Sequence, residues 1–237
     1  QVDVEGKKVW AMSYYSKEGN PLWEKYSTMA VAHTLKSYSK RTIAYPYPVA
    51  ISCHATLGGG MEYPMATLIS GPGLGTVFHE WMHSWYQMML GTNESLYSWM
   101  DEGFTSFAED LVSKFYYKRS GLDELKATLQ RNPNNKNLQD LIPILPEDHS
   151  SAYASYFTLA KSGYEEPLTT HSDHYNTNFA YSAAAYSKGE VFMEQLGYII
   201  GASVRDSLLI KYYNQWRFKH PNSNDLVVLA EKVSGIK

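Results

Sequence analysis

The chain has 237 residues, which is enough for one large domain or two small ones with a well-formed core. Its formal net charge of −3 gives no basic field for nucleic acid or an anionic membrane, and no apolar run approaches the roughly 20 residues of a membrane span. The single cysteine, Cys53, excludes an intramolecular disulfide and leaves the compartment open. We therefore expect a soluble protein without a nucleic-acid partner, and a periplasmic or secreted location is one alternative for the full-length protein. The start at Gln1 rather than Met predicts that the sequence is a piece of something longer.

The first third of the chain is predicted to form strands around one helix. Residues 9–15 (VWAMSYY) have strand character, and residues 22–41 carry side chains at helical spacing. PVAISCHA (48–55) and MEYPMATLIS (61–70) predict two further strands that are joined by the flexible TLGGG. Pro64 places the second of these at a sheet edge, because proline cannot donate a hydrogen bond to a neighbouring strand. Cys53 is then most simply a small core residue.

The remainder of the chain is predicted to be mainly helical. One helix should run over about 76–90 and a second over about 101–118. Residues 132–182 are rich in Asn, Pro, Ser and Tyr, which predicts irregular structure, and helical spacing returns from Lys188 onward. Strands that come first and helices that follow are typical of an α+β fold.

The sequence HEWMH begins at His79 and places two of the eight histidines four positions apart, with Glu80 directly after the first. On a helix, His79 and His83 lie one turn apart on the same face, so both imidazoles can bind one metal ion. Glu80 then lies beside them, close enough to hold a metal-bound water. Composition predicts only about 0.02 chance matches to this pattern, which favours metal chemistry over an ordinary helix.

A catalytic zinc needs a third protein ligand and an open position for water. Six residues after His83, where the metzincin pattern has a third histidine, the chain has Met89, and Tyr86 occupies that pattern's glycine position. Glu102 instead begins the second predicted helix, and the short linker GTNESLYSW lets that helix fold back. Two histidines and one glutamate form a known zinc hydrolase set, so we predict one Zn²⁺ bound by His79, His83 and Glu102. The alternative for Glu102 is an acid that only stabilises a helix N-terminus.

Several motifs together resemble the aminopeptidase N and leukotriene hydrolase family of gluzincin metallopeptidases. HEWMH is followed after eighteen residues by Glu102 within WMDEGF, and GGMEYP precedes it with Tyr63 where the family most often has asparagine. Tyr186, Ser187, Lys188 and Gly189 match the family's Y-x-K-G motif. The resemblance covers roughly residues 45–235, including FKHP near the end.

The resemblance implies a thermolysin-like catalytic domain of α+β class, with a small mixed sheet and a helical lobe. Residues 1–237 would form a single catalytic domain, divided into a sheet-rich part (1–75), the zinc-site helices (76–120) and a mainly helical lobe (121–237). The N-terminal β domain and the C-terminal helical domain of the family have no counterpart in this sequence. Contacts with such flanking domains are expected in the full-length protein, and the isolated domain is expected to have little activity.

The resemblance also implies roles for the substrate-binding and catalytic residues. Glu62 would bind the free amine of a peptide, beside the glycine-rich strand at Gly60, and Met61 would line the pocket for the first side chain. A surface acid and a plain buried methionine are the alternatives for these two side chains. Glu80 would be the general base, because zinc brings the pKa of bound water toward about 7. Tyr186 would donate a hydrogen bond to the developing oxyanion.

Three further features carry weaker expectations. Glu109 lies seven residues after Glu102 on the same helical face, so it either orients a zinc histidine or forms a salt bridge. Tyr181 matches a tyrosine of the leukotriene hydrolase branch, although packing is its simplest explanation. His171 and His174 lie in the sequence HSDH without a partner motif, so we expect them in a cleft wall or on the surface rather than in a second metal site.

The function that the sequence predicts is zinc-dependent removal of N-terminal residues from peptides with a free amine. A zinc endopeptidase or an epoxide-opening hydrolase would use the same ion, and a non-catalytic peptide-binding module would keep the same fold. The presence of both Glu80 and Tyr186 disfavours the binding module.

Overall fold

The computed structural model describes residues 1–19, 21–71, 74–120 and 149–237. Its N-terminal part is a five-stranded mixed sheet with the order β1-β2-β3-β5-β4. The strands are β1 (Val2–Val4), β2 (Lys7–Tyr14), β3 (Val49–His54), β4 (Gly60–Met61) and β5 (Ala66–Ile69). Strands β2, β3 and β5 are parallel, whereas β1 and β4 pair antiparallel at the two edges. The predicted small mixed sheet is confirmed.

The sheet edge nearest the HEWMH helix differs from the prediction. Residues 61–70 were expected to form one strand, but they form the two arms of a hairpin, in which Gly60 pairs with Ile69. Pro64 lies between the arms, and Met65 follows it with a φ of 66°, in the left-handed region. Proline cannot donate to the ladder and a left-handed residue turns the chain, so the strand is interrupted there. The three-residue β1 was missed because it is too short to show an alternating pattern.

Three helices match the predicted ranges; the first two pack against the sheet, and the third packs against the second. Helix α1 (Thr28–Arg41) follows a π-helical turn at Trp23–Ser27. Helix α2 (Leu74–His83) continues into a π-helical turn at Ser84–Met89. Helix α3 (Phe104–Ser120) is entered through another such turn at Trp99–Gly103.

The helical lobe contains more helix than the sequence predicted. Its helices are α4 (Ser150–Ser162), α5 (Asn178–Ser182), α6 (Gly189–Ile200), α7 (Ala202–Trp216) and α8 (Ser223–Ser234), and a π-helical turn at Ala183–Lys188 joins α5 to α6. The expectation of irregular structure over 132–182 was wrong for α4 and α5, and residues 132–148 lie outside the described residues. Helix α4 buries only Ala152 and Leu159, so it lacks the apolar stripe on which the prediction depended.

Helix α2 lies between the sheet and the helices of the C-terminal lobe, and the sequence explains how it is oriented. Trp81 and Trp85 are completely buried, and Trp81 donates from its indole Nε1 to Ser52 Oγ on β3 at 3.2 Å. His79 and His83 are each offset by two positions from these tryptophans, which places them on the opposite side of the helix. The apolar side of α2 therefore packs on the sheet, and its histidines face the helices of the C-terminal lobe. Within the described ranges, no helix has the length and apolarity that crossing a bilayer requires.

Candidate metal centre

Three side chains from two neighbouring helical segments converge at one point. Glu102 Oε2 lies 3.0 Å from His79 Nε2 and 3.5 Å from His83 Nε2. One ligand atom from each residue lies within 4.8 Å of the others. Histidine nitrogens and a carboxylate oxygen are the donors that Zn²⁺ prefers. The structure therefore brings together the three residues that the sequence predicted as a zinc-binding set.

The second ring nitrogen of each histidine contacts a carboxylate. His79 Nδ1 lies 3.1 Å from Glu109 Oε2, and His83 Nδ1 lies 2.6 Å from Asp101 Oδ1. Hydrogen bonds of this kind fix the tautomer, so that the Nε2 lone pair points toward the shared centre. Asp101 was not assigned from the sequence; the only signal for it was its place beside Glu102 in the same helical turn. Glu109 contacts His79, and this contact is compatible with both predicted roles, orientation of the histidine and a salt bridge.

The electrostatics of the cluster favour a cation at its centre. Burial alone would lower the pKa of His79, but its hydrogen bonds to Glu102 and Glu109 outweigh burial and raise that pKa to about 9. Burial would raise the pKa of Glu102, yet the hydrogen bonds from His79 and His83 bring it well below its usual value. The carboxylates thus hold positive charge on the imidazoles. A divalent ion would take the place of those protons, because metal binding to histidine releases them.

Glu80 lies beneath strand β4 and is 6% exposed. Burial raises the pKa of its carboxyl to about 7, and the nearby imidazoles of His79 and His83 oppose this rise. Its Oε2 is buried and has no hydrogen-bond partner among the described residues. A buried carboxylate oxygen without a partner is costly and indicates a missing water or ligand at that point. This observation, together with the donor set, fits a zinc ion with a water beside Glu80.

Strand β4 passes directly over Glu80, and only glycine permits this approach. A Cβ atom placed on Gly60 would lie 2.5 Å from both Cγ and Oε1 of Glu80. Gly60 was predicted to belong to the substrate site, and the structure places it against the Glu80 carboxylate. Its neighbour Met61 is 39% exposed rather than buried, so it is available to a substrate.

Glu62 follows β4 and lies close to Glu80 and His83. One of its carboxylate oxygens lies within 4.8 Å of ligand atoms of Glu80 and His83. The side chain is half-buried, and the next residue, Tyr63, is exposed at the same sheet edge. The structure thus places Glu62 beside the candidate metal centre, and its binding of a substrate amine stays a prediction.

Tyr186 approaches the cluster from the helical lobe. Its ring stacks on that of His79 at a centroid distance of 5.8 Å, with 15° between the planes. Burial first, and then the charge of Glu102 and a hydrogen bond to it, raise the pKa of the phenol well above its usual value. Tyr186 therefore stays protonated at neutral pH and remains a hydrogen-bond donor.

Two glycines explain how Glu102 and Tyr186 come together. A Cβ atom on Gly103 would lie 2.7 Å from the Cα of Gly189, and one on Gly189 would lie 2.9 Å from the Cα of Gly103. The π-helical turns at Trp99–Gly103 and Ala183–Lys188 therefore cross in backbone contact. The final glycine of the Y-x-K-G motif is required by this crossing.

Other polar groups lie outside the centre. The rings of His171 and His174 are 4.9 Å apart, and His174 is exposed, in agreement with the expected surface position. Asp110, His149 and Glu190 form a second buried group that the sequence did not predict. His149 Nδ1 lies 2.6 Å from Glu190 and 3.2 Å from Asp110, so the imidazole contacts both carboxylates.

Tyr181 and Cys53 are not part of the ligand set, and both are half-buried. The ring of Tyr181 contacts that of Tyr175 at 5.7 Å. Burial, followed by the charges of Glu102, Asp101 and Glu62, raises the pKa of the Tyr181 phenol, so this side chain lies close to the metal centre. Cys53 is half-buried on β3, and burial raises the pKa of its thiol.

Comparisons with known proteins agree with this geometry. The model of the peptidase family M1 domain matches residues 74–237. Leucine aminopeptidase 2 of Chaetomium globosum is 24% identical over 172 residues, and the leukotriene A-4 hydrolase homolog of Botryotinia fuckeliana is 25% identical over 174 residues. Each match covers 70% of this chain. The chain spans about a quarter of the length of these relatives, at 25% and 24% respectively.

Solved structures with the same fold include a mutant M1 zinc metallopeptidase from Deinococcus radiodurans bound to a Tyr-Ser-Ala substrate. It superposes with a TM-score of 0.63 over 93% of this chain and 42% of its own, at 16% identity. A two-domain M1 zinc metallopeptidase mutant bound to L-arginine superposes with a TM-score of 0.68 over 99% of this chain and 47% of its own, also at 16% identity. The predicted α+β metallopeptidase fold is thereby confirmed. With the family match covering most of its length, this chain belongs to peptidase family M1.

Proposed function

We propose that this chain is the catalytic domain of a zinc aminopeptidase that removes N-terminal residues from peptides. His79, His83 and Glu102 would hold one Zn²⁺. When bound, this ion would polarise the scissile carbonyl and lower the pKa of the attacking water toward about 7. Glu80, Tyr186 and Glu62 would perform the remaining steps.

The position of Glu62 supports removal of one residue at a time. Its carboxylate lies within 4.8 Å of an oxygen of Glu80. One residue of extended peptide spans roughly 3.3–3.6 Å, so an amine bound at Glu62 leaves only the first peptide bond within reach of Glu80. The exposed edge of β4 would pair with the backbone of the same peptide. The short separation between the carboxylates of Glu62 and Glu80 is the observation that carries the proposal.

Proton transfer and charge stabilisation follow from the placement of two side chains. Glu80 would accept a proton from the attacking water and deliver it to the leaving amine. The protonated Tyr186 would donate a hydrogen bond to the carbonyl oxygen as that oxygen gains negative charge.

A pair of substitutions tests the proposal. Glu80→Gln should abolish hydrolysis of aminoacyl anilides while zinc content is retained, and Glu62→Gln should chiefly raise KM because the ammonium loses its partner. Glu24→Gln changes an exposed acid and serves as the control. The variants should be measured in the chain and in the full-length protein, and undiminished turnover of Glu80→Gln would refute the mechanism.

The rival hydrolases differ in what they require of the substrate. An aminopeptidase loses activity when the substrate amine is acetylated, whereas an endopeptidase or an epoxide-opening hydrolase does not need that amine. A panel of free and N-acetylated peptides with one epoxide substrate therefore separates the three. If the full-length protein binds zinc without turnover of any of them, the domain is a peptide-binding module instead.

A further inference from the structure

Lys188 makes an unusually complete set of contacts for a lysine near the protein surface. Its Nζ lies 2.7 Å from Glu165 Oε1 and donates to the backbone carbonyl of Glu166 at 3.1 Å. The ammonium also lies 5.9 Å from the ring centroid of Tyr156 on α4. The side chain is only 20% exposed. An ammonium can serve acceptors in several directions at once, which a neutral side chain of this length cannot do.

Lys188 belongs to the same π-helical turn as Tyr186 but points away from the metal centre. Residues two positions apart lie on opposite sides of a helix, so Tyr186 contacts His79 while Lys188 reaches the segment that precedes α5. One side of the turn Ala183–Lys188 is thus held to residues 165–166 by the contacts of Lys188, and the other side faces the metal centre.

The segment that Lys188 contacts, residues 165–176, is itself closed by hydrogen bonds of its side chains. Both oxygens of the Glu166 carboxylate accept from Asn176, at 3.1 Å from its backbone N and 3.2 Å from Nδ2. The Tyr175 hydroxyl donates to the Pro167 carbonyl at 3.2 Å. Residues 165–176 therefore form a closed loop, and Lys188 fastens its start to the turn that follows α5.

We propose that Lys188 is a positioning residue that fixes Tyr186 against the metal centre through this loop. The proposal deepens the proposed function and rests on it, because Tyr186 acts only if the domain hydrolyses peptides. The contacts of Lys188 are with Glu165, Glu166 and Tyr156 and not with the ligand set, so we assign it no direct role on the substrate. Its effect on the reaction passes through the orientation of Tyr186.

A double-mutant cycle tests this relation. Lys188→Met should lower kcat about 10-fold with KM changed less than about 3-fold, because a misplaced oxyanion donor weakens the transition state and not substrate binding. In a Tyr186→Phe background the same substitution should lower kcat less than about 2-fold, because the group through which it acts is gone. Lys188→Arg should restore part of the loss. Lys161→Met, which changes an exposed lysine on α4, is the matched control.

Hydrogen exchange provides a readout that does not require turnover. In zinc-loaded Lys188→Met, amides of residues 178–188 should exchange faster than in the parent protein, while those of α2 should not change. If the parent protein binds zinc but hydrolyses nothing, the proposed function fails, and exchange alone still decides whether Lys188 holds the turn. Unchanged exchange, or equal losses of kcat in the presence and absence of the Tyr186 hydroxyl, would overturn the proposal.

Discussion

Replacement of Gly60 by alanine tests how closely strand β4 must pass over Glu80. The added Cβ would lie 2.5 Å from Glu80 Cγ and Oε1, whereas ordinary contacts of a Cβ begin at 3.4 Å. The Glu80 side chain must therefore shift by about 0.9 Å to restore an ordinary contact. A displacement of about 1 Å at a reacting group costs about 100-fold in rate. We therefore expect kcat to fall about 100-fold, which corresponds to about 2.7 kcal/mol of barrier.

The stability of this variant should change little, and that separates a local from a global effect. The obstructed atoms belong to the end of a flexible side chain, so the free energy of unfolding should change by less than about 1 kcal/mol. The assay combines aminoacyl anilide turnover, zinc content and thermal unfolding. Gly58→Ala is the control, because a Cβ there meets nothing within 4 Å. Turnover of Gly60→Ala within about 3-fold of the parent protein at equal zinc content would refute the reasoning.

Four further outcomes are expected. Gly103→Ala should lower the free energy of unfolding by about 1–3 kcal/mol in thermal or denaturant melts, because its Cβ would lie 2.7 Å from backbone that cannot move aside; an unchanged melting curve would contradict the crossing. Glu109→Gln should weaken zinc binding about 10–100-fold in competition with a chelator, because His79 loses the partner that orients it; equal affinity would leave Glu109 a mere surface acid. Removal of metal by chelation should abolish hydrolysis and lower the melting temperature, and added Zn²⁺ should restore both; hydrolysis that persists without metal would exclude zinc catalysis. Acidification should release the ion, because protons compete with it for His79 and His83, and metal analysis after dialysis at stepped pH should show retention only at higher pH.

The parts of the site that depend on local spacing could be predicted from the sequence. His79, Glu80 and His83 lie within a single helical turn and a half, so their relative placement follows from helix geometry alone. The meeting of Glu102 with the histidines was only permitted by the short linker. In the structure that meeting comes from the packing of α2 against α3. Tyr186 joins the group through the contact of Gly103 with Gly189, which lie far apart in the sequence, so no local pattern reveals it.

Other features were missed for identifiable physical reasons. Helix α4 has a weak apolar stripe, and its stability comes from packing against the turn that carries Tyr186. The π-helical turns differ from ordinary helix by a shift of one position in the hydrogen-bond pattern, which side-chain spacing does not show. Asp101 could not be told from a helix-capping acid, because only tertiary structure shows that it contacts the buried His83.

The contact between Gly103 and Gly189 joins the turn of Glu102, the proposed zinc ligand, directly to the turn of Tyr186, the proposed oxyanion donor. A shift of Glu102 on metal loss would therefore also move Tyr186, because no side chain separates the two backbones at this contact. Met61 and Tyr63 are exposed at the sheet edge, so under the proposed function changes of substrate preference are expected there. The crossing itself has no room for one additional carbon atom.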